Sequence, residues 1–158
     1  MERVDVEQRA EKARRFFLEG YNCAQAVVLA YCDLFVISPS LAASISAPLG
    51  GGMGRLREVC GAVSGMFMVA GLFYKNDIPS DMTKRKIVYS TVQDLAEKSK
   101  ALNGSIICRE LLGLDHKSDS PTPEARTETY YKRRPCADYV ASAARLIGEK
   151  LNEVSEEM

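Results

Sequence analysis

The stretch Asn22-Cys23-Ala24-Gln25-Ala26-Val27-Val28-Leu29-Ala30-Tyr31-Cys32-Asp33-Leu34-Phe35-Val36 decides the fold. It is apolar almost all round, so a helix built from it has no face to give to water and must lie among other helices. Asn22 is a residue type that caps a helix by accepting from a backbone N–H, which sets the helix over about residues 23–36. Upstream, Val6, Ala10, Ala13 and Phe17 stripe one face of a first helix that ends at Gly20. Downstream, Ser38-Pro39 opens a short third helix that stops before Pro48. A fourth is expected over about residues 56–74, where Gly61 and Gly65 lie four apart beside Ala62 and Ser64; small residues on one face let a neighbouring backbone come close. A long amphipathic helix over about residues 81–102 carries Val88, Val92, Leu95 and Leu102. Asn103-Gly104 breaks it, and Ser105 is read as the cap of a short helix holding Cys108. After a polar loop over residues 113–123, the last helix begins at Pro135 and carries Val140, Ala143, Ile147, Leu151 and Val154. No segment alternates as a strand does. The expectation is an all-α, single-domain helical bundle of about five to seven helices spanning residues 1–158.

Composition narrows the function classes. Lys plus Arg and Asp plus Glu are both 21, giving no net charge. Nucleic acid and anionic membranes favour basic surfaces, so neither is an expected partner. The one histidine, His116, sits in a polar stretch and leaves no material for a His-based metal site or a Ser-His-Asp triad. No apolar run reaches the roughly 18–20 residues of a membrane span. Arg14-Arg15-Phe16-Phe17-Leu18 resembles a twin-arginine export signal, but its residues also complete the stripe of the first helix, so a cytoplasmic protein is expected. Five cysteines are an odd number and more than packing needs. In a reducing compartment, clustered thiols point to metal or redox chemistry rather than a disulfide framework.

Three cysteines, Cys23, Cys108 and Cys136, fall in the first turn of an expected helix, and Cys60 follows soon after the run Gly50-Gly51-Gly52-Met53-Gly54. Helix starts offer free N–H groups and partial positive charge, which favour thiolate and would equally suit a metal–thiolate centre. On this basis at least two of the four are expected to react faster than a free cysteine. Cys32 lies nine residues after Cys23, on the opposite side of the helix at about 100° per residue, and is set apart from the group. The competing reading is plain packing, because free cysteine often behaves as a small buried hydrophobe. No Cys-x-x-Cys pair decides between them. The glycine run with Arg55 and Arg57 could cradle an anion, but it lacks the ending of a phosphate loop. It is read as a flexible connection that lets chains pass close to Cys60. Lys132-Arg133-Arg134, just before Cys136, is read as a solvated charge run.

Taken together, Asn22-Cys23, the glycine run, Cys60-Gly61-Ala62-Val63-Ser64-Gly65, Ile107-Cys108 and Pro135-Cys136 resemble the C-GCAxxG-C-C family of redox-active proteins. The central motif here reads Cys-Gly-Ala-x-x-Gly, with the cysteine before the glycine, so the order in the family name is transposed. The resemblance implies that Cys23, Cys60, Cys108 and Cys136 form one catalytic or metal-binding set, with Gly61 and Gly65 bordering any cofactor. It implies electron or thiol/disulfide transfer, through an iron–sulfur cluster, zinc or the thiols themselves, with an unidentified redox partner protein. A haem-bearing relative shares the cysteine pattern, but this chain has no Cys-x-x-Cys-His, so no haem is expected. Two other readings stay open: a structural four-thiolate metal module, and a helical interaction protein without turnover. Whether the chain is an enzyme stays open too, and the small-residue face is compatible with a homodimer.

Overall fold

The computed structural model describes residues Met1–Met158. Eight helices and no strand make up the chain: α1 (Val6–Leu18), α2 (Cys23–Leu29), α3 (Pro39–Ser46), α4 (Gly61–Tyr74), α5 (Met82–Asn103), α6 (Cys108–Leu111), α7 (Glu128–Arg133) and α8 (Cys136–Glu157). The fold is all-α, as expected. α7 had no apolar stripe to announce it; its signal is local, Thr127 accepting from the Tyr130 N–H at 3.1 Å. No helix is long and apolar enough to cross a membrane.

α2 is the central helix. Ala24, Ala26, Val27, Val28 and Leu29 are all buried, and α1, α4 and α8 pack around them. One continuous core of 19 buried residues includes Phe17, Val27, Tyr31, Met66, Val69, Leu95, Val140, Ile147 and Leu151. Each such large side chain, once buried, contributes about 1.5–3 kcal/mol. The Arg14-Arg15 pair belongs to this packed body: Arg14 bonds Asp138 of α8 at 2.7 Å, while Ala13 and Phe17 sink into the core.

α2 ends seven residues earlier than its apolar run suggests. Tyr31 leaves helical geometry at φ −123°, and its hydroxyl donates to the Ala144 carbonyl at 2.6 Å. A buried phenol needs such a partner. Gly148 makes room for it, since a Cβ there would lie 2.4 Å from the Tyr31 oxygen. The chain then continues as a short 3₁₀ turn over Cys32–Leu34.

The glycine run corrects two expectations. It is a defined left-handed turn rather than a flexible connection: φ is positive at Gly51, Gly52, Met53, Gly54 and Arg55, and again at Arg57. The Gly54 N–H donates to the Gly50 carbonyl and the Glu58 N–H to the Gly52 carbonyl, both at 2.9 Å. α4 therefore starts at Gly61 and not near residue 56. Left-handed backbone costs roughly 1–2 kcal/mol at each non-glycine position, so Met53, Arg55 and Arg57 are held there by something else. Asp119 supplies part of it, accepting from the Arg57 Nε at 2.8 Å, and the Ser120 carbonyl accepts from the Arg55 Nε at 2.7 Å.

A four-cysteine cavity

The turn and the helix starts deliver four thiols to one place. Asn22 caps α2 by accepting from the Gln25 N–H, and Gln25 returns a bond to the Asn22 N–H, both at 3.0 Å. This capping box sets Cys23 as the first helical residue. Cys136 opens α8 and Cys108 opens α6, while Cys60 is the residue from which α4 starts. Ser105 does not cap α6. Its hydroxyl accepts from the Ile107 N–H at 2.9 Å, shaping the turn before it.

Cys60 and Cys108 are set by a single antiparallel bridge, Val59 to Ile107. The Cys60 N–H donates to the Ile106 carbonyl at 2.8 Å and the Cys108 N–H to the Glu58 carbonyl at 2.6 Å. Residues one step beyond the bridged pair share a face of it, so both thiols turn the same way. Gly52 lets Cys108 approach the left-handed turn; a Cβ there would lie 2.6 Å from the Cys108 Cβ. Gly61 and Gly65 bring α4 onto α2, their missing Cβ positions lying 2.9 Å from the Leu49 carbonyl oxygen and 2.8 Å from that of Ala24.

Cys23, Cys60, Cys108 and Cys136 all line one cavity of about 20 Å³, together with Gly51, Gly52, Arg57, Gly61, Leu111, Leu112 and Tyr139. Cys23 and Cys136 are half-buried, Cys60 and Cys108 buried. Gly61 is on the wall; Gly65, one turn further, faces Ala24 and Val27 instead. Cys32 stands apart in a separate cluster with Val28, Leu29 and Ala42.

The four thiols differ electrostatically. Cys23 is brought down to about 7, first by the hydrogen bond from Cys136, then by the Arg126 charge and by the N–H groups of Gly51 and Cys23 itself, all working against burial. Cys136 is pushed far up, first because its proton is held in that same bond to Cys23, then by burial. The pair thus gives up one proton early and holds the other. Burial pushes Cys60 up to about 12, the Cys23 charge adding to it, and the N–H groups of Ala62 and Val63 at the helix start do not reverse this. Burial also raises Cys108, although an Arg57 N–H reaches its sulfur at 3.6 Å. A place at a helix start does not by itself lower a thiol here: of the four, only Cys23 is lowered.

Two contributors escaped the sequence reading. Arg126 lies just before α7 with nothing nearby in sequence to tie it to a cysteine, yet it stacks 4.2 Å from the Phe17 ring centre and donates to the Phe17 carbonyl. Tyr139, three residues after Cys136, carried a signal in its helical phase. The basic run has a quieter role, since Arg133 and Arg134 both pair with Glu124.

A zinc or iron–sulfur centre asks for ligand sulfurs about 2.3 Å from a common metal. No group of three or more His, Cys, Asp or Glu side chains is placed to hold a metal ion here. No curated protein and no solved structure matches the chain. The family described as "Putative redox-active protein (C_GCAxxG_C_C)" matches residues 21–150, a span that contains all four cavity cysteines. The chain belongs to this C-GCAxxG-C-C family.

Proposed function

We propose that this protein transfers electrons by dithiol–disulfide chemistry, with Cys23 as the attacking thiol and Cys136 as the resolving one. The observation that supports it most directly is the placement of the thiols: all four line one cavity, and Cys23 and Cys136 are the half-buried two while Cys60 and Cys108 are buried. Cys23 is lowered and Cys136 raised, which favours one thiolate beside a retained proton.

The opposite shifts of the two thiols order the two steps. The Cys23 thiolate attacks an oxidised sulfur of a partner, forming a mixed disulfide and releasing the partner's second sulfur as thiolate. Cys23 is then neutral, so the leading cause that kept the proton on Cys136 is gone. Cys136 ionises, attacks the Cys23 sulfur and closes the Cys23–Cys136 disulfide, releasing the partner reduced. Two electrons pass from the pair to the partner, and an external dithiol protein returns them. Cys60 and Cys108, protonated and buried, line the cavity without exchanging. A reducing, cytoplasmic setting suits a pair that rests as the dithiol.

The test is a redox titration with glutathione disulfide followed by peptide mapping. A Cys23–Cys136 disulfide is expected, and the Cys136→Ser variant should instead stop as a Cys23–glutathione adduct. Oxidation at Cys60 or Cys108 in preference to Cys23 would contradict the assignment. Metal analysis of anaerobically purified protein gives an independent check, since stoichiometric zinc or iron would favour the metal–thiolate alternative.

A further inference from the structure

Of the 11 glycines, all but Gly71 have a reason inside the chain. Gly20, Gly51, Gly52, Gly54, Gly104 and Gly113 take positive φ, and at Gly50, Gly61, Gly65 and Gly148 a Cβ would lie under 3.0 Å from a neighbouring atom. Gly71 has neither reason: nothing lies within 4 Å of where its Cβ would be. A glycine inside a helix weakens it relative to alanine, so α4 gives up stability there for no contact within its own chain. The bare backbone at Gly71 forms part of the wall of a groove of about 490 Å³, lined mostly by Phe35, Val36, Ile37, Ile45, Met68 and Leu72. Val36 is fully exposed at its rim, and Ile45 is 56% exposed. α4 has no charged residue from Gly61 to Tyr74, and a helix apolar all round belongs among other helices. Its Gly61–Gly65 face meets α2, whereas Met68, Gly71 and Leu72 face the open groove.

We propose that a second copy of this chain docks in the groove, its backbone approaching closely at Gly71. The charges on the wall select that occupant. Lys75 and Asp77 are the only two there, one of each sign and both exposed. Neither has an ion-pair partner in its own chain. In a two-fold contact the same patch lies on both sides, so Lys75 of each copy meets Asp77 of the other. A patch with one charge of each sign is thus complementary to itself, while an acidic or a basic ligand meets one like charge. A neutral small molecule would fill the groove and still leave Val36 largely in water; a second protein surface covers both. The groove shares no lining residue with the four-cysteine cavity, so the pairing does not draw on the thiols. It also lies on a different face from Gly61 and Gly65, which are spent on α2.

The test is sedimentation equilibrium of the full chain under reductant, which removes any intermolecular disulfide. A species of twice the 17.4 kDa chain mass is expected. Gly71→Leu, whose side chain enters open space in the single chain, should keep the helical circular dichroism and give the single-chain mass. Lys75→Asp and Asp77→Lys should each raise the dissociation constant by about tenfold or more, because each sets like charges against each other twice across the two-fold. The two together restore opposite signs and should bring the constant back to within about threefold of the original. A single-chain mass at every concentration up to about 0.1 mM overturns the proposal. So does a dimer that Gly71→Leu leaves intact, or a charge-exchanged double variant no tighter than the single ones. A single chain that takes up a neutral apolar dye, with uptake lost in Gly71→Leu, overturns it as well and gives the groove to a small ligand.

Discussion

At Cys23 the donors that converge on one sulfur come from three different parts of the chain. The Cys136 thiol arrives from the last helix, the Gly51 N–H from the left-handed turn, and the Arg126 charge from the segment just before α7. The alkylation rate of Cys23 by iodoacetamide should therefore rise with pH through a midpoint near 7, while Cys32, raised by burial and by the Asp33 charge, stays slow. Cys136→Ala removes the leading stabiliser of the Cys23 thiolate and should move that midpoint up toward the roughly 8.5 of an ordinary thiol. Arg126→Gln should move it the same way by less. Peptide-resolved labelling across pH reads both. The identity of the four thiols was legible in the sequence because Asn22 and Pro135 mark helix starts without tertiary help. Their differences were not, because Arg126 is 103 residues from Cys23 and only folding brings the two together.

At the scale of elements, the helix pair α2–α4 depends on what is absent from Gly61 and Gly65. A Cβ at either would meet backbone oxygen at 2.9 or 2.8 Å, which backbone cannot easily yield. Gly65→Val should lower stability by about 1–3 kcal/mol through overpacking, and Gly61→Val by a similar amount while also distorting the cavity wall. Cys32→Ala, which trims one atom from a separate cluster, should cost less than either. Melting temperatures of the three variants check the ranking, and equal values would mean the close contact does not exist. The spacing of those glycines announced the contact. The glycine run before them announced nothing definite, because glycine permits many conformations. What selects the left-handed turn is Asp119 holding Arg57, Asn22 packing on Gly50 and Cys108 packing on Gly52. The early end of α2 was hidden for the same reason: Tyr31 turns to reach Ala144, 113 residues on.

For the whole molecule, the site ties the ends of the chain together, so its chemistry and its stability are linked. Burial raises Cys60 and Cys108, and Cys136 is raised by its bond to Cys23 and by burial. In the unfolded chain these thiols ionise above about 8.5, while in the fold they keep their protons. The unfolded state then binds fewer protons than the native one, so stability falls as pH rises. Their contribution should be complete below about pH 8.5 and decline above it. Cys23 behaves oppositely: its lowered value favours the fold at high pH, and that part is lost as pH falls through about 7. Urea unfolding of the reduced protein should show weakening above about pH 9, less marked in a Cys60→Ala, Cys108→Ala double variant. The all-helical layout was readable from periodicity alone; this linkage was not, because it depends on how deeply the fold buries each thiol.

The most direct test of the central claim is the identity of the first disulfide. Reduced protein is given one equivalent of oxidant, quenched with acid, alkylated and mapped by mass spectrometry. The predicted product links Cys23 to Cys136, with Cys32, Cys60 and Cys108 recovered as alkylated thiols. A first product that links Cys60 to Cys108, or leaves Cys23 and Cys136 reduced, would contradict the account.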